Sequence, residues 1–145
     1  KRVIPMEFRF DSSMMGTLGV GCNLLKLSEE ELNICKEKIA KYKEIRHIVQ
    51  DGKFYRLQGN LVDNDYHIFE YVNKEEALLF VFLPQSKVGH RFTTIKLRGL
   101  DENKDYKFNL FGQDIVKSGR YLMNHGLTVK LEGDYASLVL YIKEV

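Results

Sequence analysis

Tryptophan is absent from this chain of 145 residues, cysteine and proline occur only twice each, and 22 Lys and Arg stand against 20 Asp and Glu. Each shortage excludes something. A formal charge of +2 makes no field strong enough to point to nucleic acid or an anionic membrane. Two cysteines thirteen residues apart, with no C-x-x-C and no nearby His pair, do not spell a metal site, and buried reduced thiols are the expectation for Cys22 and Cys35. No apolar run approaches the roughly eighteen residues of a membrane span. The lack of Trp weakens, without removing, a sugar-platform reading of the eight Tyr and nine Phe. Eleven Gly are too few for a low-complexity chain, so the sequence reads as folded and soluble. It is also too short for a complete (β/α)8 barrel, which takes about 250 residues.

The chain divides into three stretches. Residues 1–27 read as strand and loop: Glu7-Phe8-Arg9-Phe10 alternates with period 2, and Leu18 to Leu24 suggests a second strand with Gly19 and Gly21 inside it. Met14 and Met15 read as gap-filling core. The second stretch opens on a capping box, Ser28 with Glu31 three residues on, which satisfies orphan amides at a helix start. Leu32, Cys35, Ile39, Tyr42, Ile45 and Val49 then recur every three or four residues as one apolar stripe, ending at Asp51-Gly52. The mixed charges of Glu29 to Glu44 form its solvated face. His47 reads as a residue that compensates the helix dipole. Such a stripe must be covered, and the expectation is that the β region or a second copy of the chain covers it.

The third stretch, residues 53–145, changes to strand-like period. Candidate strands are Phe54–Leu57, Tyr66–Val72, Ala77–Leu83, Phe92–Leu97, Tyr106–Phe111, Leu127–Leu131 and Leu138–Lys143, with Asp63-Asn64-Asp65 and Gly99-Leu100-Asp101 as turns. Ala77–Leu83 is almost wholly apolar and should be central, covered on both faces. Ser118 to Gly126 reads as a short helical turn. This density of short strands favours a two-sheet sandwich.

A search for chemistry finds little. The glycines at 16, 19 and 21 lack the order of a phosphate loop. Ser12 and Ser13 lack a G-x-S-x-G elbow. The histidines at 47, 67, 90 and 125 are scattered without zinc spacing, and Asp63 with Asp65 reads as turn chemistry rather than a carboxylate pair.

Three blocks of the sequence nevertheless resemble the C-terminal end of α-galactosidases of glycoside hydrolase family 36. The first is Phe8-Arg9-Phe10 with Met14-Met15-Gly16-Thr17-Leu18-Gly19-Val20-Gly21-Cys22-Asn23-Leu24, followed by Ser28-Glu29-Glu30-Glu31-Leu32. The second is Ile39 to Arg46 with Val49 to Leu57. The third is Gly99-Leu100-Asp101, Ser118-Gly119 and Leu122 to Leu127. The resemblance implies a mainly β fold: residues 1–52 as the last strand and helix of an incomplete (β/α)8 barrel, and residues 53–145 as a C-terminal antiparallel β-sandwich domain. It implies a parent enzyme that is a retaining hydrolase of terminal α-linked galactose, working through two aspartates. Neither aspartate motif has a counterpart here, so the expected site has no catalytic residue in this chain, no metal and no cofactor. Asp11, where the family pattern has His, and Asn23, beside Cys22 where a small residue is expected, are the candidate pocket-wall residues; turn, strand-end or supporting structure is the alternative for both.

These readings make the chain a C-terminal piece that is silent alone, reaching α-galactoside oligosaccharides only through the parent barrel. A cytoplasmic homo-oligomer is expected, without nucleic acid or membrane partners. The alternatives are a non-catalytic carbohydrate-binding or subunit-interaction module, and a complete small protein that shares the motifs.

Overall fold

A computed structural model describes residues 3–58, 65–87, 89 and 92–145 of the chain. Its longest element is helix α2, Glu29–Asp51. The capping box forms as its sequence requires: the Glu31 amide donates to Ser28 Oγ at 3.2 Å, and the Ser28 amide donates to Glu31 Oε2 at 2.9 Å. Three glutamates in the first turn lie against the positive end of the helix dipole. The helix stops at Gly52, where a Cβ would sit 2.2 Å from the Ile48 carbonyl oxygen, so only glycine lets the chain turn away there. Cys35, Tyr42, Ile45, Ile48 and Val49 are its buried residues: four of the six predicted stripe positions with Ile48 added, while Leu32 and Ile39 are only half-buried.

The segment before α2 departs from expectation. Residues 7–10, predicted as a strand, lie inside helix α1, Met6–Ser13. Residues 18–24 are irregular apart from a 3-10 turn over Leu24–Lys26. No strand precedes the β region among the described residues, so the predicted terminal strand–helix unit is a helix–loop–helix. The reason is that four alternating residues carry too little information. Burial falls instead on Phe10, Asp11 and Met14, neighbours on a helical face, and Pro5 precedes the helix with φ −54° and ψ 146°. A helix also satisfies its own backbone, whereas a strand here would have no partner to pair with. Cys22 likewise differs from expectation: Cys35 is buried but Cys22 is exposed, and both are free thiols.

The β region follows its sequence closely. The strands are β1 Lys53–Leu57, β2 His67–Asn73, β3 Glu76–Leu83, β4 Thr93–Ile95, β5 Asp105–Leu110, β6 Gln113–Ser118, β7 Leu127–Val129 and β8 Ala136–Glu144, with helix α3 at Gly119–Asn124 before β7. They form a six-stranded sheet in the order β1-β2-β3-β8-β5-β6 and a two-stranded sheet β4-β7, antiparallel throughout. β3 is central, and every residue from Ala77 to Leu83 is buried. β6 is the strand that sequence reasoning missed. Its hairpin with β5 turns through Phe111 and Gly112, with φ of 50° and 84°, the pair of left-handed residues that a two-residue hairpin wants. A phenylalanine is an unusual choice there and hid the turn.

The period-2 geometry of β3 divides the core in two. Ala77, Leu79, Val81 and Leu83 face Ile95, Leu97, Leu122 and Val129 from the β4–β7 layer and α3. Leu78, Phe80 and Phe82 face Tyr42, Ile45, Ile48 and Val49 of α2 together with Met14. The molecule is thus three layers: helices α1 and α2, the large sheet, and the small sheet with α3. The stripe of α2 is covered by the β region, the first of the two expected solutions.

Candidate functional site

A cleft of ≈ 300 Å³ opens between α1, the glycine-bearing segment 18–22 and the first turns of α2. Arg9, Ser13, Gly19, Gly21, Cys22 and Cys35 are among the residues that line it. A Cβ on Gly19 or Gly21 would meet nothing within 4 Å, so packing inside the chain does not demand glycine at either position. Glu31 is the one carboxylate among the lining residues, and it is spent on the α2 capping box.

Neither candidate wall residue lines the cleft. Asp11 is 3% exposed, and Phe10 and Ser13 of the same helix line the cleft in its place. Its Oδ1 takes an ion pair from Lys38 Nζ at 2.5 Å, and its Oδ2 accepts a hydrogen bond from Ser137 Oγ of β8 at 2.7 Å. One carboxylate therefore ties α1 to α2 and to the large sheet. Lys41 lies close by and donates to the Val139 carbonyl at 3.2 Å. Burial, then the Lys38 charge, holds the Lys41 ammonium below its ordinary pKa, with Asp11 and Glu44 opposing. Asn23 is exposed, and its side chain accepts from the Leu25 amide at 3.1 Å, capping the 3-10 turn. The two residues are not brought together.

Two further tyrosines hold the same segment. Tyr71 of β2 donates to the Met15 carbonyl at 2.7 Å, and Tyr42 of α2 donates to the Gly16 carbonyl at 2.8 Å. Sequence reasoning missed Lys38, Tyr71 and Ser137, because each meets its partner across a long stretch of chain and no local pattern signals it. Met14 is fully buried, as expected.

The other titratable residues are elsewhere. His47 Nε2 meets Glu76 Oε2 at 2.7 Å, and Tyr141 donates to the other oxygen of Glu76. Burial would raise the Glu76 carboxyl, but the hydrogen bonds from Tyr141 and His47 outweigh it and hold the group below its usual range. Burial and the Glu76 partner push the Tyr141 phenol up to about 12. His125 stacks on Tyr121 with centroids 5.0 Å apart, and Asp65 pairs with Lys87. Asp63, Asn64 and His90 lie outside the described residues. Among the described residues no group of three or more His, Cys, Asp or Glu could hold a metal ion, and no helix is long and apolar enough to cross a membrane.

Fold and cleft together define a sheet-based unit: helices laid on one face of an antiparallel sheet, with an open cleft and no free pair of carboxylates among its lining residues. Two family models cover most of this unit in order, Melibiase over residues 1–52 and the Glycosyl hydrolase family 36 C-terminal domain over residues 66–142. The chain belongs to glycosyl hydrolase family 36. Alpha-galactosidase AgaA of Geobacillus stearothermophilus is 31% identical over 99% of this chain and 20% of its own length. Alpha-galactosidase Mel36A of Lactobacillus acidophilus is 32% identical with the same coverage, 99% and 20%. The crystal structure of AgaA superposes with a TM-score of 0.88 at 30% identity, over 99% of this chain and 20% of that one. The chain therefore spans about one fifth of the length of the curated relatives it matches.

Proposed function

We propose that the chain is the C-terminal region of a retaining α-galactosidase that hydrolyses terminal α-linked galactose from oligosaccharides. Residues 1–52 close its barrel, residues 53–145 form the β domain behind it, and no catalytic residue belongs to either. The observation that carries this reading is the match to α-galactosidases along 99% of the chain. Substituted variants of AgaA have been crystallised with 1-deoxygalactonojirimycin, raffinose and stachyose, which supports α-galactosides as the substrate class. A retaining mechanism needs two carboxyl groups about 5–5.5 Å apart, and the cleft offers only Glu31, already bound.

The exposed apolar residues Val3, Ile4, Val20, Leu24 and Leu25, the last 96% exposed, lie on the α1 and loop segment. They support a barrel that continues against this face. In this reading Asn23 sits at the pocket rim and Asp11 behind its wall. Homo-oligomeric assembly is supported by exposed Phe111 and Val116 at the β5–β6 hairpin, and a cytoplasmic location by the two free thiols, which suit a reducing compartment.

A chromogenic α-galactoside tests the proposal. The parent protein should release galactose, and the 145-residue chain should show no turnover above buffer. A parent that cleaves no α-galactoside overturns the assignment. Turnover by the chain alone, abolished by changing one of its own carboxylates, overturns its silence. Saturable sugar binding by the chain in calorimetry would favour a binding module instead.

A further inference from the structure

The junction between α1 and the glycine-bearing loop is held from outside by groups far away in sequence. Asp11 is anchored by Ser137 at 2.7 Å and by Lys38 at 2.5 Å. The next turn of chain is anchored by Tyr71 on the Met15 carbonyl at 2.7 Å and by Tyr42 on the Gly16 carbonyl at 2.8 Å. Ser137 and Tyr71 belong to β8 and β2, and both project from the face of the sheet that carries the helices. Beyond Gly16 the segment has little of its own to fix it. It has no regular structure until the 3-10 turn at Leu24; Leu18 is the residue of it that packs against the helix-side core, and a Cβ on Gly19 or Gly21 would meet nothing within 4 Å.

From this we infer that Asp11, Tyr71 and Ser137 are positioning residues, through which the β domain sets the place of loop 16–27 and of the cleft wall formed by Phe10 and Ser13. The inference rests on the proposed function, in which that loop faces the sugar pocket. An irregular loop loses its position unless its base is fixed, and a misplacement of about 1 Å can cost on the order of 10²-fold in rate. Here the base is fixed by the sheet, through Tyr71 and Ser137, together with α2, through Lys38 and Tyr42. The β domain then contributes to catalysis without touching substrate. Asp11 is the centre of the device because it alone joins three elements. Its charge also acts against that of Lys38 on the Lys41 ammonium.

The test uses the full-length parent with Y71F and S137A, each removing one hydroxyl, and D11N, which removes the charge. Hydrogen exchange should quicken by about tenfold or more at amides of residues 16–27 in each variant, with β3 unchanged. Toward a chromogenic α-galactoside, assayed well below each variant's Tm, KM should rise severalfold and kcat/KM should fall by roughly tenfold. S137T, which keeps the hydroxyl, should restore both. Unchanged exchange in Y71F and S137A overturns the inference, and so does faster exchange with KM and kcat both intact, which would leave only a structural tie. If the parent cleaves no α-galactoside, the functional reading fails while the exchange measurement still decides whether the sheet fixes the loop. Should D11N fail to fold, the two hydroxyl deletions carry the test.

Discussion

Glu70 offers the sharpest perturbation in the molecule. It lies on β2 opposite Tyr55 and Leu79, fully buried, and shares the core-facing side of its strand with Ile68 and Val72. Its Oε2 accepts from the Arg98 amide at 2.8 Å, and its Oε1 has no hydrogen-bond partner among the described residues. Burial pushes its pKa from 4.5 to about 8, against the opposing Arg98 amide and charge. The sign of the linkage follows. Below about pH 4.5 the carboxyl is neutral both folded and unfolded, and its effect on stability does not change with pH. Between 4.5 and 8 the unfolded chain ionises while the folded one stays protonated, so stability falls as pH rises, by about 1.4 kcal/mol per pH unit, and levels off above 8. The whole gap amounts to roughly 5 kcal/mol, comparable to the total stability of many domains. E70Q keeps an acceptor for the Arg98 amide and cannot ionise. Urea unfolding of both proteins from pH 4.5 to 9 isolates the site, because every other titrating group is common to the two. E70Q should gain on the native chain by several kcal/mol across that range and be the more stable above pH 8. Two pH profiles that stay parallel within about 1 kcal/mol would refute the reasoning.

Other expectations are smaller or simpler. S28A removes the oxygen that receives the Glu31 amide and should cost about 1 kcal/mol in chemical denaturation. G119A places a Cβ 2.0 Å from the Asp101 carbonyl oxygen and should cost well over 2 kcal/mol, whereas G112A, left-handed but open around its Cβ, should cost about 1 kcal/mol; thermal melts of the pair read the difference. In the 145-residue chain, exposed Cys22 should react at once with a thiol reagent and buried Cys35 only on unfolding. Two thiols titrating together at the fast rate would contradict the burial.

What the sequence made legible was whatever depends on local pattern. The capping box, the stripe of α2, the apolar run of β3 and the Ser118–Gly126 turn all form where the residues indicate, because propensity, periodicity and caps agree there. Glu7 to Phe10 failed because alternation over four residues fits a strand and one turn of an amphipathic helix almost equally. β6 failed because its turn residue, Phe111, takes a left-handed conformation that its chemistry disfavours. The site was legible only as a neighbourhood. Asp11 and Asn23 stand out in the sequence only by their place in the chain. The groups that give Asp11 its role, Lys38 and Ser137, lie 27 and 126 residues away, a distance that no window of sequence spans.

The boundary at Gly52 separates two family matches but not two cores. Met14, Tyr42, Ile45, Ile48 and Val49 from before it share one cluster with Leu78, Phe80, Phe82 and Val139 from after it. Each fully buried side chain of this size is worth about 1.5–3 kcal/mol, so the five together contribute roughly 7–15 kcal/mol, as much as a typical domain has in all. Residues 53–145 on their own would keep the layer against β4–β7 and lose the other. Their central strand would then present Leu78, Phe80 and Phe82 to water. Such a truncated chain is expected to retain far-UV circular dichroism, lose near-UV signal and bind ANS, and to unfold without a sharp transition. Cooperative unfolding with native-like stability and no dye binding would show that the helices are ornaments on a self-sufficient sandwich. The opposite result would mean that the β domain cannot reach its final packing until the segment ahead of it, with α2, is in place.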